Sequence, residues 1–177
     1  MIDSTDLQIL NIIQANARTS NVEIARQVGL APSAVLERVR KLEERGVIRG
    51  YVAEVDSAQV GFGLTAFVFV RTQSCRTIDR NLAAIPEVLE VYDVAGEDCY
   101  LLKVRAKDTE ELGKLLREKL KPIPEIISTR TTVVLQTIKE TIALPIAEGQ
   151  KTEKQIAAGN IQKTQRRKNA RERDCKK

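Results

Sequence analysis

Ser20 to Tyr51 reads SNVEIARQVGLAPSAVLERVRKLEERGVIRGY, and its punctuation sets the architecture of the N-terminal domain. Ser20 with Glu23 three residues on has capping-box spacing, so a short helix starts there and buries Val22, Ile24, Ala25 and Val28. Gly29 supplies the left-handed stop, and Leu30-Ala31 makes a tight turn into a second helix. Pro32 opens that helix at its first position, where the missing donor is not needed, and Gly46 closes it. Val35, Val39 and Leu42 then form one inward stripe, while Ser33, Glu37, Arg40 and, at the edge, Lys41 fall on the outer side, flanked by Leu36 and Arg38. This is the layout of a helix-turn-helix. A charged outer face is also what any solvated helix shows, so spacing alone leaves an ordinary helical hairpin open.

Residues 3 to 17 form a first helix, capped by Asp3 or Ser4. Leu7, Leu10 and Ile13 build its stripe, and Ile9 and Ile12 widen it. It supplies the wall that two helices lack, packing on Ile24, Val28, Val39 and Leu42. After Gly46 the period changes: Val47-Ile48 and Gly50 to Val55 are extended, and Asp56 to Gly63 reads as a linker.

The second half alternates elements. Leu64 to Thr72 is a strand apolar on both faces. Thr77 to Ile85 is a helix stopped by Pro86, and Val88 to Val94 and Cys99 to Ala106 are strands joined by Ala95-Gly96-Glu97-Asp98. Asp108 to Glu111 opens a helix with Leu112, Leu115, Leu116 and Leu120 inward and Pro122 at its end, and Ile126 to Ile138 is a last strand rich in Thr and Val. The order β-α-β-β-α-β is a ferredoxin-like sandwich with helices on one sheet face. A first strand apolar on both sides implies that a second copy covers the other face, hence a homodimer.

The chain has 177 residues, no histidine, and three separated cysteines, Cys75, Cys99 and Cys175. That composition argues against metal sites, catalytic Ser-His or Cys-His pairs and most enzymes, and no cofactor is implied. Cys75 and Cys99 suit the role of small buried hydrophobes, and Cys175 that of an exposed thiol in a polar tail. No stretch is apolar enough to span a membrane, and MIDSTDLQIL carries no export signal, so the cytoplasm is expected. Net charge is +5, but residues 151 to 177 hold +7 and residues 1 to 150 sum to −2. The tail is a source of nonspecific phosphate attraction or a disordered solubilising end.

Asp6 to Leu10 followed by Asn16-Ala17-Arg18, then LERVRKLE (36 to 43), Gly46-Val47-Ile48 and Gly50-Tyr51, resembles the leucine-responsive regulator/AsnC (feast/famine) family of prokaryotic transcription regulators. Gly96 with Tyr100 to Val104, and Thr129 to Val134, resemble that family's effector-sensing domain. The resemblance covers residues 2 to about 141. It implies an α+β chain: a winged helix-turn-helix domain at 1–50, a linker at 51–63, a ferredoxin-like sensing and oligomerisation domain at 64–144, and a basic tail at 145–177. It also implies a sequence-specific regulator of double-stranded DNA that forms dimers, often octamers, and responds to an amino acid or similar metabolite. On this reading Ser33, Glu37 and Arg40 lie nearest base edges and Arg38, Lys41, Arg45 and Arg49 near phosphates. The effector region comprises Gly96, Glu97, Asp98, Cys99, Tyr100, Thr129 and Thr131. Cys99 stands where the family has an Asp that would pair with an effector's amino group. Asp98 or Glu97 could substitute, the effector could differ, or the site could be vestigial.

Other classes fit less well. An RNA-recognition module needs stacking aromatics, and the corresponding strand offers only Tyr100. Glu97 and Asp98 resemble a catalytic pair but suit solvated turn residues better. An architectural or small-molecule-sensing DNA-binding protein without sequence-specific regulation is the alternative function.

Overall fold

The computed structural model describes residues 2–73 and 78–147. The chain divides into two compact units, Met1–Ala53 together with the chain from Thr141, and Glu54–Glu140. Cys75, Thr77, Cys175 and the basic run from Lys151 lie outside the described residues.

In the first unit, α1 (Ser4–Ala15), α2 (Asn21–Val28) and α3 (Pro32–Glu44) follow the expected order. Asp3 caps α1 through a full capping box: its Oδ1 accepts from the Asp6 backbone N–H at 2.8 Å, and its own N–H donates to Asp6 Oδ2 at 3.1 Å. Ser20 makes only half of such a box. Its Oγ accepts from the Glu23 N–H at 3.2 Å, but the Glu23 carboxylate turns away to Arg26 and Gln27. Gly29 sits at φ 72°, a left-handed conformation that glycine adopts without steric cost, and the turn to α3 follows. Ile9, Ile24, Ala25, Val35 and Val39 form the core, with Ile12, Ile13, Val28, Leu30 and Ile48 packed around it. The inward face of α1 is therefore centred on Ile9, not on Leu7, which is only half-buried. The phase differs because Asp6 is itself buried and occupies the stripe position one turn before Ile9 and Leu10. The chain from 47 to 63 is extended and turn-like with no strand pairing.

The second unit is a four-stranded antiparallel sheet in the order β2-β3-β1-β4, with β1 Leu64–Thr72, β2 Val88–Asp93, β3 Tyr100–Ala106 and β4 Ile126–Val133. Period-two alternation sends Ala66, Val68 and Val70 to the same face as Leu102, Val104 and Tyr100. There they pack with Ile78, Leu82, Leu112, Leu115 and Leu120 from the helical layer. That layer consists of α4 (Asp79–Ala83) and α5 (Thr109–Lys114), the latter continuing as a π-helical segment, Leu115–Leu120. Widening the turn brings Leu115 and Leu120, five apart, onto one buried face. α4 is shorter than the expected 77–85 helix. β4 stops at Val133 rather than Ile138 because its partner β1 begins at Leu64, and the Val134 N–H donates to Thr65 O at 2.9 Å just beyond the strand's end. From there the chain runs on without a strand partner, with Leu135 98 % and Ile138 84 % exposed.

Candidate DNA-binding face and effector region

α3 presents its outer side on a fixed base. Val35, Val39 and Leu42 are buried, so Ser33, Leu36, Glu37, Arg40, Lys41 and Glu44 face solvent. Ala31 gives α3 no side-chain cap, so the positive end of the helix dipole remains open to an anion such as a phosphate. Glu37 lies between two cations: Lys41 Nζ is 3.2 Å and Arg40 Nε 3.7 Å from its carboxylate, with Glu44 3.4 Å from Arg40. Such exposed pairs are weak and exchange readily for phosphate. Arg45 ends the helix and, like Arg49, is exposed.

Arg38 departs from expectation. Its Nη1 donates to Asp3 Oδ2 and Asp6 Oδ1, both at 2.7 Å, so it braces α3 against α1 rather than reaching outward. Those carboxylates hold the guanidinium protonated even more firmly than usual, chiefly through the Asp3 hydrogen bond. Leu36, which the sequence places only at the flank, is 56 % exposed, an apolar side chain on the outer face that suits contact with a thymine methyl. Its exposure at a helix centre was the signal. Tyr51 closes the head: its hydroxyl donates to Glu43 Oε1 at 2.8 Å, and burial followed by that bond pushes its pKa up to about 12.

The residues expected to contact an effector divide between places. Tyr100 is buried among the core, its hydroxyl donating to Asp79, so it belongs to the helical side. Cys99 is half-buried against that core, and its N–H donates to Val70 O at 2.9 Å. Asp98 instead forms an ion pair with Arg130 at 2.9 Å, and Arg130 lies 4.4 Å over the Phe69 ring. Thr129 and Thr131 are in register with Val70 and Val68, on the helical face of the edge strand. A shallow groove of about 210 Å³ opens beside Thr129, lined by Leu116, Arg117, Lys121 and Ile126 to Thr129. Gly96 and Glu97 stay in the β2–β3 loop. Asp98, in the bend before β3, turns to Arg130, which alternation along β4 puts on the face opposite Thr129 and Thr131, while Tyr100 opens β3 on the core side.

Two family models match this chain, a winged helix-turn-helix DNA-binding domain over residues 2–49 and the Lrp/AsnC ligand binding domain over residues 65–144. The chain belongs to the Lrp/AsnC family. Its similarity to the HTH-type transcriptional regulator FL11 of Pyrococcus horikoshii is 37 % identity over 147 residues, covering 82 % of this chain and 97 % of that protein. Among solved structures it resembles a transcriptional regulator of Neisseria meningitidis in complex with L-methionine. That match has TM-score 0.78 and 32 % identity, and covers 82 % of this chain and 97 % of the other. The feast or famine regulatory protein of M. tuberculosis complexed with L-methionine is similar at TM-score 0.77 and 33 % identity, covering 83 % and 100 %. This Lrp/AsnC protein is a DNA-binding transcriptional regulator and not an enzyme. No helix among the described residues is long and apolar enough to cross a membrane.

Proposed function

We propose that the protein reads double-stranded DNA by seating α3 in the major groove as a homodimer, and that an amino acid modulates this binding. The observation that carries the DNA reading is the outer face of α3. Ser33, Leu36, Glu37 and Arg40 stand on a helix whose opposite side is locked into a three-helix core. Arg40→Ala should relax sequence preference, whereas Lys41→Ala should weaken specific and random DNA alike. Equal losses for both variants on both DNAs would remove the assignment. The cytoplasm, where DNA is available, is the corresponding location.

Dimerisation is supported by the sheet face away from the helices, where Phe67, Phe69 and Leu101 are only half-buried. Sedimentation at micromolar concentration should give a dimer, and a monomer would refute this part.

For the effector, Asp98 and Arg130 form an opposite-charge pair that a zwitterion can split. The α-ammonium takes Asp98 and the carboxylate takes Arg130, with an apolar side chain on Phe69. This gives Asp98 the role that Cys99 cannot fill. L-Methionine, bound by the neisserial and mycobacterial relatives, is the first ligand to try. Asp98→Asn should abolish its calorimetric binding signal, and undiminished binding would contradict this placement.

A further inference from the structure

Two stretches of chain join the units: the linker after Tyr51, and the return segment after β4. Within the Glu54–Glu140 unit one side chain holds both. Arg105 Nη1 donates to Ser57 Oγ at 2.8 Å, and its Nη2 donates to Glu140 Oε2 at 2.8 Å. Lys103, two residues earlier on the same face of β3, donates to the other Glu140 oxygen and lies 3.2 Å from Glu90 Oε1. The two cationic side chains are 15 % and 16 % exposed, so these are not loose surface pairs. Removing one partner leaves a half-buried charge unmatched.

The return segment is fastened again within the head unit. The Leu144 N–H donates to Gln14 Oε1 at 2.7 Å, its carbonyl accepts from Gln14 Nε2 at 3.2 Å, and the Ile146 carbonyl accepts from Asn11 Nδ2 at 3.1 Å. Only Thr141, Ile142 and Ala143 lie between the two fastenings. The core does not need this network, because Lys103 and Arg105 alternate with Leu102 and Val104, which fill the helical side.

We propose that Arg105 is a positioning residue for DNA recognition: by pinning both crossings to β3 it shortens the free tether of each DNA-binding head and so fixes the spacing at which paired heads bind together. The proposal rests on the DNA-binding dimer reading above. A second head binds at an effective concentration set by tether length, and slack in both crossings dilutes it. The contact of one head with one half-site is untouched.

The test uses the full chain and Arg105→Met. Affinity is measured on duplexes carrying one or two half-sites, and amide exchange is followed at residues 52–62 and 134–144 of the DNA-free protein. The expected result is single-half-site affinity within about twofold of wild type, a loss of about tenfold or more on the double site, and faster exchange in 52–62 with a smaller rise in 134–144, where Lys103 still holds Glu140. Unchanged exchange overturns the pinning, whatever the DNA result. Faster exchange with unchanged double-site preference overturns the positioning role, as does an equal loss on single and double sites. Exchange needs no DNA, so a wild-type chain without sequence preference would defeat the DNA reading and the positioning role while leaving the pinning measured. If Arg105→Met does not fold, Ser57→Ala with Glu140→Ala removes both partners and is read in the same way.

Discussion

Arg38 of α3 and Asp6 of α1 meet at 2.7 Å, with Asp3 at the same distance from the same nitrogen. The pair crosses the head, and Asp6 is buried, so a side chain on the flank of the DNA-facing helix sets how that helix is held. Asp3 serves twice, as cap and as ion-pair partner. Its carboxyl is held below the usual range first by the Asp6 backbone N–H and then by Arg38.

Arg38→Ala therefore acts on stability before it acts on DNA. It leaves the buried Asp6 without its cation, a loss of about 1–3 kcal/mol for an unmatched buried polar group. Thermal unfolding of the head should shift down for Arg38→Ala and stay put for Lys41→Ala, whose partner Glu37 is exposed. An unshifted melting curve for Arg38→Ala would show that the bridge carries no stability.

Glu37→Gln should strengthen binding to random DNA. It removes a carboxylate from a face that approaches phosphates and releases Lys41 from its pairing, while Arg40 keeps Glu44. Log affinity should then fall more steeply with log salt, by up to about one phosphate contact for the freed Lys41. A slope equal to wild type would place α3's cations away from the backbone.

Gly29→Ala tests the turn itself. A Cβ at this position would meet nothing within 4 Å, so the penalty is conformational alone: φ 72° costs a non-glycine residue about 1–2 kcal/mol. Denaturant midpoint should fall with little change in slope, and DNA affinity should fall with it as the α2–α3 geometry relaxes.

The Glu140 clamp sets a pH dependence. The Lys103 hydrogen bond, ahead of the Arg105 charge, holds the Glu140 carboxyl below its ordinary 4.5. A depressed acid contributes stability in full above the unfolded value, and loses it as pH falls from there through the folded value. Protection factors in 134–140, corrected for the intrinsic slowing of amide exchange in acid, should fall below about pH 4.5 in wild type, and this acid step should vanish in Glu140→Gln. The same acid step in both proteins would assign it elsewhere.

How much of this was legible in the sequence depends on whether a residue acts locally. Gly29 and Pro32 fix the backbone where they stand, so α2, its turn and the start of α3 could be read directly. The phase of α1 could not, because five apolar residues between Leu7 and Ile13 fit more than one stripe and the buried Asp6 looks polar until Arg38, 32 residues away, is placed beside it. The end of β4 is not marked in the sequence, because Thr and Val continue past the point where β1 stops offering a partner. The effector residues are neighbours in sequence, but Asp98 lies in the bend before β3 and turns to Arg130, whereas Tyr100 is the first residue of β3 and enters the core. The Arg105 node was invisible, since it joins residues 35 and 48 positions away.

The most direct test of the account is selection of bound fragments from sheared genomic DNA at about 0.15 M salt, with residues 1 to 150 so that the basic tail does not dominate. Enrichment of a two-fold related site with half-sites about one helical turn apart is the result this account predicts. Binding without enrichment of any sequence, or no binding at all, would contradict it.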